Sequence, residues 1–131
     1  MTTSESSRIG GILLAAGGSV RFGTPKQLVL FDGVSLVRRA GLALASSVCS
    51  PVFVVLGAES ERSRQEIADL PLSVCVNPEW QSGMSSSIRA GLRELFEIEP
   101  DLAAVVIVLC DQPLITSDHI NCLAKHFKDE G

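Results

Sequence analysis

Short continuous apolar runs alternate along this chain with segments in which apolar residues recur every three or four positions. The runs fall at residues 9–16, Val52–Leu56, Ser73–Val76 and 103–110. They are rich in Val, Ile and Leu and too short for helices, so they predict strands buried on both faces. Helical spacing links Leu36, Val37, Ala40, Gly41, Leu44 and Ala45. It also links Met84, Ile88, Leu92 and Leu95, with Arg89, Arg93 and Glu94 on the opposite face. Two weaker helices are predicted at 59–70 and 117–127, the second capped by Thr116, Ser117 or Asp118. Asp32-Gly33 predicts a tight turn closing a small hairpin between residues 28–31 and Val34.

Strand–helix alternation implies a mostly parallel sheet covered by helices through right-handed crossovers. No repeat or low-complexity linker divides the 131 residues, so one domain is expected over 1–131. In such sheets ligands sit beyond the carboxyl ends of the strands. That rule directs attention to residues 16–26, 57–58, 77–87 and 111–113.

Composition narrows the class. The chain is 46% hydrophobic and 20% charged, which excludes a disordered chain. Its net charge of −4 supplies no basic field for a nucleic-acid backbone, so a polyanionic ligand needs a few placed cations and backbone donors. Glu5 leaves the N-terminus without the positive region of a signal peptide. Residues 40–58 carry no charge, but Ser46, Ser47, Ser50 and Pro51 interrupt them, so a helix end followed by a strand fits better than a membrane span. Cys49, Cys75, Cys110 and Cys122 form no C-x-x-C pair, which predicts reduced, mostly buried thiols in a cytoplasmic protein.

Three segments carry candidate chemistry. In the first, a strand runs through Leu14, Ala15, Ala16, Gly17, Gly18 and Ser19, then meets Arg21 and Lys26. Small residues here permit an anion-binding nest of backbone N–H groups, and the two cations suit phosphate oxygens. An ordinary glycine turn with solvated cations has the same composition. Neither G-x-G-x-x-G nor a Walker loop is present, since Thr24-Pro25 stands where the latter requires Lys-Ser/Thr. The second segment, Asn77-Pro78-Glu79-Trp80-Gln81-Ser82-Gly83-Met84-Ser85-Ser86-Ser87, follows a strand and opens a helix. It reads either as a cap with a core Trp or as polar groups offered to a ligand at the positive helix end. Third, Asp111 of Cys110-Asp111-Gln112-Pro113 ends a buried strand, as a helix-capping residue or as a metal ligand. His119, Cys122 and His126 share a helix face, but no fourth ligand accompanies them, and packing or solvent exposure accounts for them better.

The pattern L-A-A-G-x-S-x-R-x-G-x-x-K over residues 14–26 resembles the signature loop of the MobA-like NTP transferases, nucleotidyltransferases related to the molybdenum-cofactor enzymes. The Asn-Pro-Glu-Trp segment and the Asp-Gln-Pro triplet are similar to two further motifs of that family. The resemblance implies a Rossmann-like three-layer α/β/α nucleotidyltransferase sheet, mostly parallel and lacking its C-terminal part. It places the nucleotide along Leu14, Ala15 and Ala16, with its triphosphate on Gly17, Gly18 and Ser19. Arg21 and Lys26 then neutralise the phosphates, Asn77, Gly83, Ser86 and Ser87 lie along base and ribose, and Asp111 binds Mg²⁺. The implied reaction moves a nucleoside monophosphate onto a phosphate-bearing acceptor.

Ala15-Ala16-Gly17 resembles the branch that uses CTP and a molybdopterin acceptor, whereas the guanylyl branch carries A-G-G. Accessory proteins of molybdenum hydroxylases look similar, which makes such a hydroxylase an expected partner. Relatives continue past residue 131 with further strands and a second metal carboxylate, so the present residues are expected to bind nucleotide without turning it over. An unpaired sheet edge would then favour a homodimer. A non-catalytic nucleotide-binding accessory protein and a sugar or isoprenoid nucleotidyltransferase are the alternative readings.

Overall fold

The computed structural model describes residues 8–130; the N-terminal residues bearing on the leader question, Glu5 included, lie outside them. Four parallel strands make the main sheet: β1 (Ile9–Ala15), and, after two small hairpins, β6 (Val52–Leu56), β7 (Ser73–Val76) and β8 (Ala104–Leu109), in the order β7-β6-β1-β8. β1 is central, pairing Leu14 with Val55 on one side and with Leu109 on the other. Helices α1 (Leu36–Ala45), α2 (Ser60–Glu66), α3 (Met84–Ile98) and α4 (Ser117–Glu130) complete the main elements.

Alternation along β1 explains the three layers. Ile9, Leu13 and Ala15 point into a core with Val37, Leu44, Ile120 and Ala124 of α1 and α4. Ile12 and Leu14 point the other way, toward Leu95, Ile88 and Leu92 of α3. A side chain at Gly91 would meet Val55 and Ile12 at 2.9 and 3.0 Å, so this glycine lets α3 sit close on the sheet. Burial on both faces holds for β1 and β6 but not for the outer strands. Among the described residues β7 and β8 are the sheet edges, and Ser73, Val76 and Ile107 are exposed there.

The first hairpin pairs β2 (Val20–Arg21) with β3 (Thr24–Pro25), turning through Phe22 and Gly23 at φ 51° and 81°. Sequence reasoning did not anticipate it. The expected second hairpin is present, β4 (Leu30–Phe31) pairing with β5 (Val34–Ser35) around Asp32 and Gly33 at φ 53° and 80°. α2 is shorter than its predicted 59–70 span: Glu59 enters it at φ 57°, and the chain beyond Glu66 is held by Arg38, which bonds the Glu66 carbonyl and Asp69. At α4 the cap is Thr116, whose Oγ1 accepts from the His119 N–H at 3.3 Å. Cys49 and Cys110 are buried as expected, whereas Cys75 is half-buried and Cys122 exposed; all four are free thiols. Among the described residues no helix is long and apolar enough to cross a membrane.

Candidate nucleotide site

A cavity of about 440 Å³ opens beyond the carboxyl ends of β1 and β8, within the size range of small-ligand sites. One wall is the loop leaving β1, with Leu14, Ala15, Ala16, Gly17, Gly18 and Ser19 all lining it. Nothing stands within 4 Å of where a Gly17 side chain would begin, so the backbone there is open to a ligand. Lys26 and Asp111 form a second wall, and Trp80, Gly83 and Ser87 a third.

The β1 loop is held from behind by a residue the sequence did not single out. Gln27, 3% exposed, donates from Nε2 to the Gly17 carbonyl at 3.2 Å and to the Ala58 carbonyl at 3.0 Å. The Ala58 N–H in turn donates to the Ala16 carbonyl at 3.1 Å. These bonds tie the loops after β1 and β6 into one unit. Trp80 lies against both loops: a side chain at Gly18 would meet its ring at 2.7 Å, and one at Gly57 would meet Trp80 at 2.6 Å and the Ala16 carbonyl at 2.7 Å. Trp80 therefore serves as a floor to the cavity as well as a packing residue. A polar side chain directly after a loop lysine is the only sequence signal Gln27 gave.

Asn77 and Ser86 do not line this cavity; they are buried behind it. Asn77 donates from Nδ2 to Ser86 Oγ at 2.9 Å and Ser87 Oγ at 3.0 Å, while its Oδ1 accepts from the Glu79 N–H at 3.0 Å. Ser86 Oγ donates onward to the Gly83 carbonyl, 2.8 Å away. This network fixes the turn Trp80–Ser82 and the Gly83 backbone (φ 111°) that opens α3. Arg21 is exposed on the first hairpin and does not line the cavity, although its charge acts on Asp111.

The charged wall is a contact between two predicted site residues. Lys26 Nζ donates to Asp111 Oδ2 at 2.8 Å. This hydrogen bond holds the Asp111 carboxyl below the usual carboxylate range, against partial desolvation that acts the other way. Next to it, burial pushes the Cys110 thiol up to about 12, so it stays protonated and unreactive. Among the described residues no group of three or more His, Cys, Asp or Glu could hold a metal, the His119–Cys122–His126 face included. His119 Nδ1 instead accepts from the Thr116 N–H at 3.1 Å. Asp111 offers one hard, ionised oxygen ligand on the cavity wall, which fits a Mg²⁺ ion completed by water and substrate phosphates.

A glycine loop, a buried clamp and a charged wall at the carboxyl ends of a parallel sheet define an α/β domain with a candidate ligand site where such sheets place theirs. The chain belongs to the MobA-like NTP transferase domain family, whose pattern it matches over residues 11–131. It is 36% identical over 109 residues to the nicotine blue oxidoreductase of Paenarthrobacter nicotinovorans, covering 79% of this chain and 49% of that protein. A probable molybdenum cofactor guanylyltransferase from Bacillus cytotoxicus is 26% identical over 122 residues, covering 93% of this chain and 58% of that protein. The crystal structure of Rv0371c from Mycobacterium tuberculosis H37Rv superposes with a TM-score of 0.78 at 25% identity, covering 98% of this chain and 63% of the other. A nucleotidyl transferase from Methanothermobacter thermautotroptrophicus shares the fold, with a TM-score of 0.74 at 20% identity and coverage of 92% and 58%. The chain thus spans 49% to 58% of the length of these curated relatives.

Proposed function

We propose that the cavity binds a nucleoside triphosphate and belongs to an enzyme that transfers its nucleoside monophosphate to a phosphate-bearing acceptor. The observation that carries this reading is the convergence of the 14–19 loop and the nearby Lys26 with Asp111, 85 positions beyond Lys26, on one cavity. Loop amides and the Lys26 ammonium face the phosphates; Trp80, Gly83 and Ser87 bound the space for base and ribose. An acceptor phosphate oxygen attacks the α-phosphorus in line, a P–O bond forms, the α–β bridging bond breaks and pyrophosphate departs. A phosphate nucleophile is already ionised at neutral pH, so the chain needs no strong base. Its residues contribute position and charge. A Mg²⁺ ion held by Asp111 would supply further charge neutralisation on the phosphates.

Within that reading, we assign CTP as donor and a molybdopterin-type cofactor as acceptor. Ala15-Ala16-Gly17 supports cytidine, while two relatives carry the name guanylyltransferase. Calorimetry with CTP, GTP and ATP in the presence of Mg²⁺ tests both levels. The expected order places CTP first, and Lys26→Ala should weaken CTP binding by about 1.5–3 kcal/mol through loss of a charge-assisted contact. Tighter binding of GTP would move the chain to the guanylyl branch. Equal binding by Lys26→Ala and wild type would remove the loop from phosphate recognition.

A further inference from the structure

Lys26 and Asp111 have opposite tasks in the proposed reaction, one on phosphate and one on metal, yet here each occupies the other. Nζ and Oδ2 lie 2.8 Å apart, and the residues are separated by 85 positions in sequence. Both ends are fixed on rigid structure. Lys26 begins the turn Lys26–Leu28, its N–H donating to the Ser19 carbonyl at 2.9 Å, and the next residue is the buried Gln27 clamp. Asp111 follows the buried Cys110, whose N–H donates to the Leu14 carbonyl at 3.2 Å. Between these anchors only the four-carbon lysine stem and the two side-chain torsions of Asp111 are free to move.

A divalent cation and an ammonium cannot both sit at contact distance on one carboxylate oxygen without strong like-charge repulsion. The pair is also half-open to solvent, with side chains 35% and 40% exposed, so the ion pair is weak and easily exchanged. We propose that Lys26 is the resident counter-ion of Asp111 and is exchanged for a divalent cation, which releases its ammonium to the triphosphate. The proposal rests on the nucleotide reading given above and adds an order to it. Without metal, Asp111 detains the cation that the phosphates need. With metal, the same carboxylate is neutralised and Lys26 swings into the cavity. Metal and triphosphate then help each other bind, and by linkage the help is mutual.

The reactivity of the Lys26 amine reads this exchange directly. Wild type and Asp111→Asn are pulse-labelled with an amine-acylating reagent, and Lys26 modification is quantified by peptide mass spectrometry. Each protein is labelled in EDTA, in MgCl₂ matched for ionic strength with KCl, and in MgCl₂ with CTP or with GTP. In EDTA, Asp111→Asn should label up to about fivefold faster than wild type, the largest ratio a half-exposed contact with the carboxylate can hold by engaging the ammonium. MgCl₂ alone should raise the wild-type rate toward that of the variant and leave the variant unchanged. CTP should then slow labelling in wild type. A wild-type rate that does not respond to MgCl₂ would overturn the exchange, even if CTP protects Lys26, in which case the nucleotide reading stands. Acceleration by MgCl₂ without protection by CTP or GTP would keep the exchange and overturn the nucleotide reading. Should Asp111→Asn fail to fold, judged by circular dichroism, the MgCl₂ response of wild type decides alone.

Discussion

The two walls of the cavity are built by opposite means. On the Trp80 side, shape is set by close packing: Gly18 and Gly57 admit the indole where any side chain would collide, and Gln27 welds two loops through buried hydrogen bonds. On the Lys26–Asp111 side, shape is set by one partly exposed ion pair. Packing of the first kind is stiff, because interiors tolerate little change in volume. Ion pairs of the second kind are soft, since water competes for both partners. A preformed floor beside an adjustable charged wall lets a ligand find its seat before the charges regroup.

The sharpest way to break this contrast is Gly57→Ala. The new methyl would fall 2.6 Å from Trp80 and 2.7 Å from the Ala16 carbonyl, and backbone cannot yield as a flexible side-chain tip can. Urea unfolding should show a loss of about 3 kcal/mol, with Trp80 fluorescence altered in the folded state. Near-wild-type stability would show that the floor is not stiff. A smaller effect is expected from Asn77→Ala, which removes the donor from the Ser86 and Ser87 hydroxyls and strands the Glu79 N–H behind the same wall. The expected cost is about 1–3 kcal/mol, with nucleotide affinity falling because the Gly83 turn loosens. Full nucleotide affinity in a destabilised variant would separate this network from the site.

The soft wall should respond least, and its response depends on pH. Asp111 has a lowered pKa in the folded chain, so its contribution is present above the unfolded carboxyl value of ~3.9 and is lost as pH falls through the folded one. Asp111→Asn should therefore be less stable than wild type by under about 1 kcal/mol at neutral pH. In acid, below both pKa values, the two should coincide. A deficit that persists there would mean that the carboxylate is held by something other than charge. Urea titrations at neutral and acid pH measure the difference.

How far the sequence disclosed this arrangement depended on distance along the chain. The strands, α1, α3 and the Asp32-Gly33 hairpin were legible because period and turn chemistry are local signals. Burial of β7 and β8 was over-read, because a run such as Ser73–Val76 looks the same at a sheet edge as at its centre. Of the site, the 14–19 loop, Lys26 and Asp111 were legible as residue types in motifs. Their mutual contact was not, because it joins positions 85 residues apart. Asn77 and Ser86 were legible as important polar residues, but whether a hydroxyl faces a cavity or an amide behind it depends on packing. Gln27 was announced only by its place after a loop lysine, which says nothing of the two carbonyls it holds.

The strand order also governs when the cavity can exist. Among the four described strands β1 is made first, yet its two neighbours are β6 and β8, and β8 is made last. During synthesis, β1 emerges with two apolar faces and an open hydrogen-bonding edge, and half of its pairing must wait for Leu109. Pairings of such long sequence separation form slowly, after the local helices and hairpins. Lys26 can meet Asp111 only after β8 docks beside β1, so the finished ion pair marks that docking. Until then the growing chain depends on being kept from its neighbours.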